Sequence, residues 1–282
     1  MPNLIRSLAF SFFMLFLGVQ ITSAQKKPKI KGNRIVAPYE TPLEAFHTLV
    51  LQEDIQLNLV ASDSSYVAML ADDNLPPVFK FQVTDSVLTL STYYTITGAK
   101  QLDITIFTPS LQSVAMTAGE LALTLDPRFS SVRVTQSQDS QLAVAGKVPY
   151  FSLESTDKAF ASVHAAFDQL DLQMKDRATA TLYTDIQENA QLKLYDKAGV
   201  QWGGKIFHLA ASLTAGTQLS AEELELTEAM VNAGGNAKLD LYVTEHLTYF
   251  AKGDSQLDLY GTPRVDLMEF SGRSQLRKKE LK

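Results

Sequence analysis

Apolar and polar positions alternate strictly along most of this chain. Ile55, Leu57 and Leu59 alternate with Gln56 and Asn58, and Leu102, Ile104 and Ile106 alternate with Asp103 and Thr105. A period of two over five residues marks a strand with one face in the core and one in solvent. No window carries an apolar stripe at i, i+3, i+4 and i+7. The nearest approach to a helix, Ser220–Met230, contains Leu224-Glu225-Leu226, which reads at least as well as a strand. Turn formers divide the segments at Asp126-Pro127, Gly146, Ala198-Gly199, Gly203-Gly204, Ala233-Gly234-Gly235-Asn236, Gly253-Asp254 and Gly261-Thr262-Pro263.

From residue 100 the predicted strands recur at a nearly fixed distance. Leu102-x-Ile104, Leu121-x-Leu123, Leu142-x-Val144, Ala161-x-Val163 and Ala180-x-Leu182 start 19, 21, 19 and 19 residues apart. Half a period away run Val132-x-Val134, Phe151-x-Leu153 and Leu170-x-Leu172, and near the end KLDLYV and QLDLYG repeat at 238–243 and 256–261. This period predicts an all-β fold, a single-stranded parallel β-helix with coils of about 20 residues. A β-sandwich also spaces its strands by about 8–12 residues and is the alternative. The steady period and the small polar turns favour coils.

Composition agrees with a packed exported protein. Hydrophobic residues are 45% and charged residues 20% of the 282, which excludes a disordered chain. The net charge of −6 argues against nucleic acid as a partner. With no cysteine, disulfide scaffolds, Cys-ligated metals and thiol catalysis are excluded, and the fold must hold through its core alone. Arg6, the apolar run Leu8 to Val19, then Thr22, Ser23 and Ala24 read as a secretory signal peptide over 1–24. Cleavage is expected after Ala24, leaving Gln25 first. The run is too short to span a bilayer, and no later stretch reaches transmembrane length. Residues 25–44 then read as a basic flexible segment and 45–270 as the β-helical domain, with 45–98 a capping part and 99–270 the repeats. Residues 271–282 form a basic tail, and both basic ends read as solvated.

The same segments carry a family resemblance. Ile30-Lys31-Gly32-Asn33, Phe46-His47-Thr48-Leu49-Val50 and Ile55-Gln56-Leu57-Asn58-Leu59 precede Asp73-Asn74-Leu75-Pro76 and then Val83-Thr84-Asp85-Ser86-Val87-Leu88-Thr89-Leu90. Together with the LDLY repeats these resemble the auto-transporter adhesin head GIN domain family (DUF2807), over roughly residues 30–265. The chain departs from it in having fewer glycines and a more variable middle, around Gln187 to His208. The resemblance implies an exported bacterial β-helix-like protein with no established enzymatic activity.

Motifs for chemistry mostly fail. Gly199-Val200-Gln201-Trp202-Gly203-Gly204-Lys205 fits G-x-x-x-x-G-K, but Ile206 stands where a phosphate loop needs Ser or Thr. His47, His164, His208 and His246 lie far apart, with no metal-binding spacing. No G-x-S-x-G elbow occurs. No metal, cofactor or catalytic residue is therefore assigned.

The candidate binding residues lie in the LDLY repeats. With the leucines inward, Asp240, Tyr242, Asp258 and Tyr260 point outward, and aligned coils stack them as neighbours. Flat aromatic faces with a hydroxyl suit sugar rings or a protein surface, while the same pairs also stabilise a sheet exterior. Tyr183 and Tyr195 point outward locally, but Tyr195 falls off the repeat. The expected function is a non-enzymatic cell-envelope protein, periplasmic or surface-exposed, with an adhesin-like or interaction role. The alternatives are a carbohydrate-binding module using the Tyr/Asp strip and a polysaccharide-cleaving β-helix enzyme. The expected partner is an envelope glycan or protein, and the solenoid end near Val265 to Phe270 is a place for a homodimer, because open strand edges seek partners.

Overall fold

The computed structural model describes residues 27–280, so the expected cleavage between Ala24 and Gln25 lies outside the described residues. Among them are twenty-one strands, no α-helix and one short 3-10 turn at Pro76–Val78. The opening strands are β1 (Lys29–Ile30), β2 (Val36–Pro42), β3 (Thr48–Leu51), β4 (Gln56–Ala61), β5 (Tyr66–Asp72), β6 (Phe79–Thr84), β7 (Val87–Thr92), β8 (Thr95–Ile96) and β9 (Leu102–Thr108). The regular part begins with β10 (Ser113–Met116), β11 (Glu120–Leu125), β12 (Ser131–Gln136), β13 (Gln141–Ser155), β14 (Phe160–Met174) and β15 (Thr179–Leu194). It ends with β16 (Gly199–Leu213), β17 (Gln218–Ala233), β18 (Lys238–Ala251), β19 (Gln256–Tyr260), β20 (Arg264–Phe270) and β21 (Gln275–Lys278). Together they form a β-solenoid of about nine turns with coils of about 19 residues, so the coiled reading holds over the sandwich. Ser220–Met230 lies within strand β17.

Each long strand bends midway, giving every coil two flanks. The first flank holds β11, the leading halves of β13 to β18, then β19 and β21. The second holds β10, β12, the trailing halves and β20. Parallel pairing puts equivalent inward side chains in columns. On the first flank Leu121, Leu142, Ala161, Ala180, Val200, Leu219, Leu239 and Leu257 are in register. On the second, Val114, Val134, Leu153, Leu172, Leu192, Ala211 and Val231 are. A third column, Val148, Phe167, Ile186, Ile206, Leu226 and Val243, fills the bend. All are buried, and each of the larger ones contributes about 1.5–3 kcal/mol on leaving water. The periodic positions at 121, 142, 161 and 180 thus share one column, as do Val132, Phe151 and Leu170.

Leu102 does not join them. Leu121 instead sits beside Leu57 of β4, and β9 lies on the far side of β4 while pairing antiparallel with β5. The chain leaves the solenoid after β4, builds an end piece from β5 to β9, and returns at β10. That end piece also captures the basic N-terminal stretch expected to be flexible. β2 pairs antiparallel with β5 as an edge strand, which is why Pro38 and Pro42 are tolerated in it. Buried Asp72 ties the piece together, accepting backbone N–H groups from Arg34 at 3.0 Å, Lys100 at 3.1 Å and Gln101 at 3.3 Å. Burial works against ionisation of this carboxyl, but the three N–H groups and the charge of Lys100 outweigh it and hold its pKa below the ordinary value. At the other end residues 275–278, expected as part of a solvated tail, form β21 against β19.

The corner between second and first flank is a tight turn that repeats in every coil. Its left-handed position is occupied by Gln138, Asp157, Asp176, Asp196, Ala215, Gly235, Gly253 and Gly272, with φ between 58° and 76°. The carbonyl of this residue accepts the N–H of the next coil's turn at 2.6–3.0 Å from Gln138 through Gly253, so the ladder runs on around the corner. Aspartates suit the position because their carboxylates also bond backward. Asp157 Oδ2 accepts the Gln138 N–H at 3.0 Å, and Asp176 Oδ2 the Asp157 N–H at 3.3 Å. A small buried residue follows the turn each time, among them Ser140, Ala159, Ala178, Ala198 and Ala237.

Ala215 has neither the aspartate's hydrogen bond nor glycine's freedom at φ 58°. Ala215→Gly is expected to stabilise the protein by about 0.5–1 kcal/mol, read as a higher midpoint in urea with an unchanged slope. An unchanged or lower midpoint contradicts this account of the corner.

Candidate functional site

The LDLY repeats land in register at the C-terminal end of the first flank. Asp240 sits beside Asp258 and Tyr242 beside Tyr260, each pair one strand spacing apart. The intervening leucines are buried and the four candidates face outward, half exposed. Tyr183 does not extend the strip. Its register partner is Gly203, and a bulge at Glu222-Glu223 separates both from Tyr242. Tyr195 lies in the corner turn.

The two aspartates differ in environment. Asp258 receives Arg277 Nε at 2.6 Å and lies 3.5 Å from Lys279 Nζ, both from the last strand and its continuation. Asp240 has no such partner among the described residues. Burial first, then the carboxylates of Glu222 and Asp258, push its pKa above the usual range, against Arg277 and Lys279. Burial and the same carboxylates, Asp240 foremost, also raise the Tyr260 phenol. The strip therefore presents two phenol rings over an acidic patch partly neutralised from one end.

A second cluster, which spacing did not reveal, occupies the other flank. Asn189, His208, Glu228, His246 and Arg264 form one outward column. His208 Nε2 lies 2.8 Å from Glu228 Oε2, and His246 Nε2 2.9 Å from Asp266 Oδ2. The His246 hydrogen bond, helped by Arg264 and opposed by burial, lowers the Asp266 pKa. The histidines are 38 residues apart in sequence yet two coils apart in space, because a solenoid returns the chain to the same place once per turn. Their alignment depends on bulges that absorb coils of unequal length, which hides it from simple spacing. Beside them lies a hollow of about 550 Å³ running over Ala210 and Met230.

Other motifs find structural places. Gly199 to Lys205 runs within β16, with no helix N-terminus to hold a phosphate. The side chain of Trp202 is buried, and its Nε1 donates to Thr184 Oγ1 at 2.8 Å. His164 packs edge-on against Tyr183, centroids 5.3 Å apart, on the first flank. No group of three or more His, Cys, Asp or Glu residues placed to hold a metal occurs among the described residues. No described helix is long and apolar enough to cross a membrane.

Comparison with known proteins places this geometry. The family model described as "Putative auto-transporter adhesin, head GIN domain" (DUF2807) matches residues 45–263. A solved structure titled as a putative adhesin from Parabacteroides distasonis ATCC 8503 superposes with a TM-score of 0.60 at 15% identity, covering 90% of this chain and 100% of that one. Another from the same strain, described as a putative lipid binding protein, gives 0.64 at 12% identity over 89% and 99%. A putative adhesin from Parabacteroides merdae ATCC 43184 gives 0.56 at 14% over 89% and 99%. At these identities the likeness is one of fold. No curated protein matches the chain.

The raised Asp240 pKa has a sign that can be checked. The charged carboxylate opposes folding, so the cost is present above the folded-state pKa and disappears as pH falls through it. Asp240→Asn is expected to raise the melting temperature at pH 7 and to have a smaller effect at pH 3, where the aspartate is largely protonated too. Calorimetric melts at the two pH values read the difference. Destabilisation at pH 7 refutes the repulsion.

Proposed function

Because the chain belongs to the auto-transporter adhesin head GIN domain family (DUF2807), we propose that it is an exported, non-enzymatic cell-envelope protein. Its role is adhesin-like: it contacts an envelope glycan or protein through the outer surface of the solenoid. The observation that carries this reading is the in-register array of Asp240, Tyr242, Asp258 and Tyr260 on a rigid sheet. The ladder occupies the backbone hydrogen-bonding groups of that sheet, so recognition falls to the outward side chains. A broad flank bearing repeated side chains suits contact with an extended surface. The commitments of the charged groups also favour binding over chemistry. Asp258 is engaged by Arg277 and Lys279. Export is supported by the sequence pattern of residues 1–24.

Envelope polysaccharides and a glycan array, applied to residues 25–282 with product formation followed in the same wells, test this reading. Binding without turnover is expected, and Tyr242→Ala with Tyr260→Ala is expected to weaken it at least about tenfold. Turnover overturns the non-enzymatic reading, and unchanged binding removes the strip from the contact.

A second copy is the partner proposed for the C-terminal end. Leu267 and Phe270 continue the inward columns of Tyr249 and Ala251, yet with Met268 they are 50%, 45% and 63% exposed. Both flanks there end in strand edges, and exposed apolar side chains beside open edges favour strand-to-strand association. Sedimentation equilibrium is expected to show a dimer at micromolar concentration that Leu267→Glu with Phe270→Glu dissociates. A wild-type monomer at all concentrations disposes of it.

A further inference from the structure

Several hollows on the solenoid surface border one coil, that of β16. β16 turns outward with unusually short side chains: Gly203 on the first flank, and Ala210 and Ser212 on the second. The neighbouring coils carry long ones at the same register positions. Gln191 and Met230 flank Ala210, and Lys193 and Asn232 flank Ser212. On the second flank this leaves two hollows, of about 550 Å³ and about 340 Å³, that share Gln191, Ala210 and Met230 and so form one continuous groove.

The lining of that groove has a definite chemistry. The side-chain amides of Asn189 and Gln191 line it with both donors and acceptors. His208 and His246 each hold Nε2 within 2.8–2.9 Å of a carboxylate, which leaves Nδ1 as the ring nitrogen open to a ligand. Thr248 adds a hydroxyl. Between these lie apolar surfaces: the Ala210 methyl, the Met230 thioether, 56% exposed, and Phe250 at the smaller end. No lysine or arginine lines the larger hollow, whereas Asp171 and Glu228 do, and Lys193 is the lone cation of the smaller one.

We propose that this groove is a binding site for a neutral glycan chain, with the hydroxyls of the sugar on Asn189, Gln191 and His208 and its C–H faces on Ala210 and Met230. A sugar, with hydroxyls around C–H faces, matches this combination of amide and imidazole groups with small apolar patches. An anionic chain meets Asp171 and Glu228 with no lysine or arginine in the larger hollow to offset them. An extended peptide that pairs by strand addition needs a free sheet edge, and the groove floor is a sheet face. The site lies on the flank opposite the tyrosine strip and does not depend on it.

The test is calorimetric titration of residues 25–282 with neutral tetra- to hexasaccharides of glucose, xylose and mannose, with oligogalacturonate as the anionic contrast. At least one neutral series is expected to bind and oligogalacturonate is not. Ala210→Trp fills the floor at an outward position and is expected to weaken binding at least about tenfold, as is Asn189→Ala with Gln191→Ala, which keeps the groove open. The titrations are repeated on a Tyr242→Ala with Tyr260→Ala background, and the groove variants are expected to weaken the binding that remains there, which separates it from the strip. If Ala210→Trp fails to fold, the Asn189/Gln191 variant alone decides. Absence of binding by every neutral series, a preference for oligogalacturonate, or binding indifferent to the groove variants but lost with the tyrosines overturns the proposal.

Discussion

Everything in this structure depends on each coil returning in register with the one before. The hydrogen bonds of a coil are made by its neighbours, so a coil that misses its register leaves backbone groups unpaired and inward side chains out of column. The consequences appear at the corners. The turn from Gln138 to Gly272 repeats one left-handed residue per coil and passes the ladder from turn to turn. Where a coil has an extra residue the excess is expelled into a bulge, between Ile186 and Asn189 or beyond Ala221, while the columns on either side continue. Between Ile186 and Asn189 the expelled residues, Gln187 and Glu188, are exposed, so there the excess goes to solvent.

The same constraint explains what could be read from the sequence. Alternation identified the strands, and the spacing of Leu121, Leu142, Ala161 and Ala180 identified a true column, because inward positions must repeat whenever coils repeat. Leu102 carried the same alternation and broke the rule. Alternation reports only that a strand is half buried; the antiparallel partner β5 and the parallel partner β4 are chosen by the path of the chain. The basic ends keep their lysines and arginines in solvent, and alternation alone does not reveal that Lys29–Ile30 and Gln275–Lys278 also join strands as β1 and β21.

The candidate sites divide along the same line. Asp240, Tyr242, Asp258 and Tyr260 were legible because two near-identical coils follow one another without a bulge. The histidine column was not, since His208, Glu228 and His246 are separated by 20 and then 18 residues. The groove was less legible still, being made by the shortness of Ala210 and Ser212 relative to neighbours known only once register is known. One strong signal was present and unused: Thr156-Asp157-Lys158-Ala159, Lys175-Asp176-Arg177-Ala178 and Tyr195-Asp196-Lys197-Ala198 share an acidic, basic, alanine pattern that fixes the left-handed corner in three successive coils.

The detour at the N-terminal end also sets an order of events. From β12 onward each coil can settle on one already made, and nothing later in the chain is needed for it to close. The coil of β3 and β4 is different, for its neighbours are β7 and β9 on one side and β10 and β11 on the other. A chain emerging from its N-terminus has no finished surface to build upon until residues near 108, the end of β9, are free and β3 and β4 can rest on β7 and β9. The slow step of assembly then belongs to the end piece, where contacts span tens of residues and closure entropy is highest. The remaining coils follow as propagation.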